Sequence, residues 1–241
     1  MLLYSVCYYY GKNKTSNLTN HLNSFLKIDT DEKQFILVNM VDSHDINYIN
    51  DVENNLSNFI KDQSQRLLSQ RDKINFKIIS SFNWGGTILG LWLTYNYGKM
   101  NCTPTAHVAH FEEDFGPYND EWLKDSISLL TDEIIYVGEN TNGKIKSNDN
   151  DGRISGQMHK ISIRLGNPEV WTDGGYYFST IEKLTSIDNK IGIFHKGNSS
   201  TKYTNKTDGI DYGEVGFPTL LYHNNFKFTS LNRQKYFINE W

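Results

Sequence analysis

Three adjacent carboxylates, Glu112-Glu113-Asp114, follow directly on the apolar run from Thr105 to Phe111. Neighbouring carboxylates repel one another unless water or a cation relieves them. A hard cation such as Mn²⁺ or Mg²⁺ takes oxygen ligands and bridges one or two carboxylates to substrate phosphates. Open α/β sheets bind ligands outside the carboxyl ends of their strands, so the triplet is a candidate cation site. A solvated acidic turn is the plainer alternative. Phe111 and Phe115, on either side, favour partial enclosure. His107 and His110 fall on opposite strand faces by the period of two and read as packed, hydrogen-bonded side chains before metal ligands.

The elements that would position this triplet can be traced along the chain. Leu2 to Tyr9 is short, β-branched and aromatic, and reads as a buried strand. Thr15 or Ser16 caps a helix through Leu18, Leu22, Phe25 and Leu26. Phe35 to Val41 is a second apolar strand, stopping at Asp42. A polar helix follows, with Ile49, Val52, Leu56, Phe59 and Ile60 on one face, and Phe76 to Ile79 is a third strand. The turn Asn83-Trp84-Gly85-Gly86-Thr87 opens a helix through Ile88, Leu91, Trp92 and Tyr95, which Gly98 is expected to close as a C-cap. Thr105 to Phe111 is a fourth strand, 120–130 a helix, and Glu133 to Val137 a fifth strand. Continuous apolar strands alternating with helices imply an α/β fold with a mostly parallel central sheet and helices on both faces. The polar stretches 141–156 and 198–213 read as loops, the first a candidate to close over a ligand. Arg153, Lys160 and Arg164 are candidate phosphate contacts or a solvated face.

At this point the chain resembles a GT-A (Rossmann-like) glycosyltransferase of the family 2 type, from Leu3 to about Phe228. Val6 to Gly11 matches the family's first strand and nucleotide loop, placing Tyr8 and Tyr10 beside the nucleotide. Asp42 matches the acid near the base, and Asn83, Gly85 and Gly86 match the Asn-x-Gly turn. Glu112-Glu113-Asp114 resembles the metal-binding D-x-D motif, with Glu in place of the first Asp. The resemblance implies Asp114 and Glu112 as ligands of Mn²⁺ or Mg²⁺ and Glu113 as a nucleotide-sugar contact. Gly174 and Gly175, after Asp173, match the glycine pair that lies against donor sugar and acceptor. Gly213-Glu214 stands where the family has its E-D dipeptide, and Asn225 replaces a later glycine, a residue that tolerates left-handed backbone. Glu214 is thus the first candidate base, then Asp173 and Asp211. The implied activity is inverting, metal-dependent transfer of a sugar from a UDP- or GDP-linked donor to a glycan or glycoprotein acceptor. Residues 1–241 are expected to form one domain, with 1–115 the nucleotide-binding half and 116–241 the acceptor-binding half.

Composition agrees with this reading and narrows it. The 241 residues suffice for a real core, and a net charge of −4 argues against a nucleic-acid partner. Cys7 and Cys102 are too few and too far apart for a disulfide framework or a metal site. The first ten residues lack the basic start of a signal peptide, and no run approaches a membrane span. A cytoplasmic location is expected, or the host cytoplasm if the Asn-, Lys-, Ile- and Tyr-rich composition marks a large DNA virus. Two alternatives stand beside an active transferase: a non-catalytic sugar-binding module or decayed transferase, and a sugar-phosphate nucleotidyltransferase. The latter needs a richer glycine and basic loop than Gly11-Lys12-Asn13-Lys14.

Overall fold

The computed structural model describes residues 1–10, 15–67, 75–83, 86–140, 173–193, 217, 221–222 and 224–239. Seven strands form one sheet: β1 (Leu2–Tyr9), β2 (Lys33–Val41), β3 (Phe76–Phe82), β4 (His107–Glu112), β6 (Ile134–Asn140), β7 (Asp173–Thr180) and β8 (Lys227–Asn232). Two three-residue strands, β5 (Phe115–Pro117) and β9 (Phe237–Asn239), pair with each other in a separate two-stranded sheet among the described residues. The order across the main sheet is β3-β2-β1-β4-β7-β6-β8. All neighbours are parallel except β7, which runs against both β4 and β6. The expected mostly parallel sheet is therefore present, with one reversed strand.

Helices cover both faces because the parallel strands are apolar on both sides. On one face α1 (Thr15–Lys27), α2 (Ile46–Leu67) and α4 (Glu121–Leu129) bury Leu22, Phe25, Leu56 and Trp122 against Tyr4, Val6, Phe35 and Phe111. On the other, α3 (Gly86–Asn101) and α5 (Ile181–Ile191) bury Leu91, Tyr95 and Leu184 against Leu3, Ile36, Val38 and Val108. The helix starts have local causes. Asp45 caps α2, its carboxylate accepting from Asn47 N at 2.9 Å, and Thr180 caps α5 through Lys183 N at 3.3 Å. A last short helix, α6 (Arg233–Tyr236), leads into β9.

One expectation is corrected. Gly98 does not close α3, which continues to Asn101. A Cβ at this position would stand 2.4 Å from Ile181 Cδ1 and 2.9 Å from Leu3 Cδ1, so the glycine lets α3 cross β1 and α5 closely. Cys7 is buried and Cys102 half-buried, and the two are not joined in a disulfide.

Candidate functional site

The order β3-β2-β1-β4 reverses direction between β1 and β4. The helix after β1 and the helix before β4 lie on opposite faces, and such a switch point leaves a crevice outside the strands' carboxyl ends. Both lips of this crevice carry residues singled out above: Tyr8 and Tyr10 at the end of β1, and Glu112-Glu113-Asp114 at the end of β4.

The triplet divides its side chains. Glu112 is half-buried and accepts a hydrogen bond from the Thr87 hydroxyl, in the first turn of α3. Glu113 is buried, and its Oε2 accepts from the Tyr9 backbone N–H at 2.5 Å. Asp114 is half-buried, and its charge acts on the imidazole of His21 in α1. Glu113, expected at the nucleotide-sugar, thus binds the end of β1 to the end of β4. Tyr8 is buried beside it, and its hydroxyl pKa is raised, first by burial, then by the charge of Glu113. Tyr9 is raised further by burial, and its hydroxyl lies 3.3 Å from where a Cβ of Gly86 would stand. Gly86 opens α3 at φ +57°, a conformation costly for any residue with a side chain.

The strand that leads into the triplet carries one buried histidine, His110, and one half-buried, His107. His110 Nε2 lies 3.1 Å from the Thr87 carbonyl and Nδ1 2.8 Å from Ser5 Oγ. Because a carbonyl only accepts, Nε2 carries the proton and Nδ1 receives one from Ser5. Burial lowers the His110 pKa to about 3, so the ring is neutral. The expectation that it packs rather than binds metal fits this geometry. His107 stacks on Phe178 at 5.4 Å on the other face.

A cleft of about 360 Å³ opens at the end of β2, lined by Tyr10, Val41, Asp42, Ser43, Asp45 and Tyr48. Tyr10 and Tyr48 meet edge to face at 6.1 Å. Asp42 and Tyr10, both expected at a nucleoside, therefore share one cleft. Asn83 lies alongside and continues the β2–β3 ladder through its N–H to the Val41 carbonyl at 3.2 Å. Its Oδ1 is buried with no hydrogen-bond partner among the described residues.

Across the crevice the reversed strand β7 begins at this same edge. Asp173 is in register with Glu139 of β6. A Cβ on Gly175 would stand 2.6 Å from the Phe115 ring, so the glycine admits the residue that follows the acidic triplet. Arg233, just past β8, reaches Glu139 with two bonds of 2.8 and 2.7 Å and lies 5.0 Å from the centre of the Phe115 ring. The remaining sequence candidates, Gly85, Glu214 and Asp211, lie outside the described residues, as do 141–156, 198–213, Arg153, Lys160 and Arg164. Gly174 lies in β7 between Asp173 and Gly175.

Sequence reasoning missed His21, Thr87, Tyr48, Glu139 and Arg233. His21 had a signal, a polar residue within the apolar stripe of α1 beside Leu22. Glu139 and Arg233 had none, being far apart in sequence. As to a cation, the described residues contain no group of three or more His, Cys, Asp or Glu able to enclose one. Two half-buried carboxylates with oxygen donors fit Mn²⁺ or Mg²⁺, which complete their shells with phosphate and water.

No protein-family model matches the chain, and comparison with curated proteins finds no match. Solved structures do match. Residues 1–349 of S. aureus TarS align at 16% identity and TM-score 0.51, over 99% of this chain and 60% of that one. The same protein in complex with UDP-GlcNAc aligns at TM-score 0.51 and 16% identity, over 98% and 57%. The mannosyltransferase PcManGT from Pyrobaculum calidifontis, in complex with GDP-Man and Mn²⁺, aligns at TM-score 0.55 and 10% identity, over 95% and 54%. The chain thus spans a little over half the length of these structures. At such identities the likeness shows the fold, a GT-A-like domain with a mostly parallel seven-stranded sheet.

Proposed function

We propose that this chain is a nucleotide-sugar-dependent glycosyltransferase, transferring a sugar from a UDP- or GDP-linked donor to a hydroxyl of a glycan or glycoprotein. The observation that carries this reading is the placement of the acidic triplet at the switch point between β1 and β4, beside a Tyr- and Asp-lined cleft. Structures of the same fold, bound to UDP-GlcNAc and to GDP-Man with Mn²⁺, support it.

The nucleoside takes the cleft. Tyr10 and Tyr48 offer aromatic surface, and Asp42 accepts hydrogen bonds from base or ribose. Among the described residues the cleft lining holds no cation, which favours the triplet as the place of the diphosphate. There Asp114 and Glu112 supply oxygen donors for Mn²⁺ or Mg²⁺, which when bound offsets the charge building on the leaving diphosphate. Thr87 keeps the Glu112 carboxylate in place. The glycine pair at the start of β7 admits the sugar and acceptor closely.

With inversion, the acceptor oxygen bonds to the anomeric carbon as that carbon's bond to the diphosphate breaks. A carboxylate takes the hydroxyl proton. Glu214 is the first assignment for this base, with Asp173 and Asp211 after it. Residues 1–115 then serve the nucleotide and 116–241 the acceptor.

Thermal shift with UDP-, GDP- and dTDP-sugars tests the reading, in Mn²⁺, in EDTA, and in Asp114→Ala. A ligand at 100 times its Kd adds about 2.7 kcal/mol. One donor should stabilise the protein only with metal and only with Asp114 present. If no nucleotide-sugar shifts the midpoint under any condition, the donor site is refuted.

A further inference from the structure

The acidic turn is gripped from the α1 side by a residue that is itself fully buried. His21 Nε2 lies 3.1 Å from the Glu112 carbonyl and 3.2 Å from the Glu113 carbonyl, while Nδ1 lies 2.9 Å from the Tyr4 hydroxyl. Carbonyls accept only, so Nε2 carries the proton and is shared between them, and Tyr4 donates to Nδ1. Burial lowers the His21 pKa to about 4, which keeps the ring in this single neutral form at pH 7. The ring is wedged between Tyr4 and Phe111, at 5.9 and 5.7 Å.

One helical turn later, Ser24 Oγ donates to the Pro117 carbonyl at 3.2 Å. Thus α1 holds both ends of the segment from Glu112 to Pro117. On the opposite face Thr87 holds the Glu112 carboxylate, and the Tyr9 N–H holds that of Glu113. Backbone ties on one side and side-chain ties on the other leave the turn no axis to pivot about.

We propose that His21 is a positioning residue for the acidic turn, fixing its backbone through the Glu112 and Glu113 carbonyls and thereby the directions of the carboxylates beside them. Its bearing on ligand binding rests on the reading of the turn as the donor and metal site. With 0% exposure His21 touches no substrate and acts on the turn through its backbone carbonyls. An apolar residue of the same size fills the same space and does not hold the turn.

Three variants separate these roles: His21→Phe keeps a ring and loses the donor, His21→Gln keeps a donor, and Tyr4→Phe removes only the partner that fixes the tautomer. Amide hydrogen exchange of the peptide 112–118 is measured on the protein without ligand, together with the thermal midpoint. Mn²⁺ alone is titrated by electron paramagnetic resonance. His21→Phe should unfold cooperatively, raise exchange at least tenfold in 112–118 while sparing β2 and α5, and weaken Mn²⁺ binding about tenfold. His21→Gln should restore most of both. Unchanged exchange in His21→Phe, or equal effects of Phe and Gln, overturns the proposal. If His21→Phe does not fold, Tyr4→Phe decides by the same peptide, where a smaller local rise supports and no rise overturns. If the wild-type protein binds no Mn²⁺, the metal reading falls while the exchange comparison still decides the role of His21.

Discussion

Replacing Arg233 by Met probes how the far side of the crevice is held. The Glu139 side chain is 0% exposed and that of Arg233 26%. The guanidinium makes two charge-assisted bonds to Glu139, at 2.8 and 2.7 Å. Hydrogen bonds to charged groups contribute about 1.5–3 kcal/mol each. Because Arg233 is partly solvated, the lower end applies, and Arg233→Met should cost about 3 kcal/mol. At roughly 2–4 °C per kcal/mol for a chain of this size, the midpoint falls by about 6–12 °C. Glu139→Gln should cost a comparable amount, and the double variant less than the sum, with a coupling of at least about 1.5 kcal/mol. Equilibrium denaturation of all four proteins, at low and at 1 M salt, measures the cycle. Little screening is expected for so enclosed a pair, in contrast to Lys227–Glu133, whose side chains are 65% and 72% exposed. A coupling below about 0.5 kcal/mol, or one abolished by salt, refutes the reasoning.

Three further outcomes follow from the geometry. Gly175→Ala drives a methyl group to 2.6 Å from the Phe115 ring and should cost about 1–3 kcal/mol through overpacking, read as a lowered denaturation midpoint. Burial lowers His21 to about 4 and His110 to about 3. With both folded-state values below the unfolded value near 6.5, the unfolded chain takes up more protons on acidification, so stability is full above pH 6.5 and is lost as pH falls. The His21 contribution alone is about 3 kcal/mol by pH 4, and denaturation at pH 7, 5.5 and 4 should show the decline reduced in His21→Gln. Asn225 holds φ 59° on the surface, so Asn225→Ala should cost about 1–2 kcal/mol and Asn225→Gly much less, by the same measurement.

Much of the first half of the fold could be read from the sequence. Buried parallel strands appear as unbroken apolar runs, and Leu2–Tyr9 was delimited to the residue. Asn225 was expected to accept left-handed backbone and does. Gly98 misled because a glycine near a helix end signals a cap, whereas here it answers to Leu3 and Ile181, distant in sequence. The segment 173–180 was noticed for its glycines and not as a strand, since Gly174-Gly175 weakens the alternation that marks one. The strands β5 and β9, three residues each, are too short for any period. Within the candidate site, the places of Tyr10 and Asp42 just past the ends of β1 and β2 were legible, and their cleft-mate Tyr48 was not, because an exposed tyrosine at a helix start has no periodic signature. The inward turn of Glu113 depends on Tyr9 N, 104 residues away, and no local pattern encodes it.

The reversal of β7 has a consequence for how such a chain can diversify. A strand parallel to β6 would have to start at the opposite edge of the sheet, and the connection would cross a face of the core. Because β7 is antiparallel, β6 ends at Asn140 and β7 begins at Asp173 on the same rim. Chain inserted or deleted between those two residues has both anchors at the crevice and leaves the strand register alone. Selection acting there can change what the rim meets without renegotiating the hydrophobic interior.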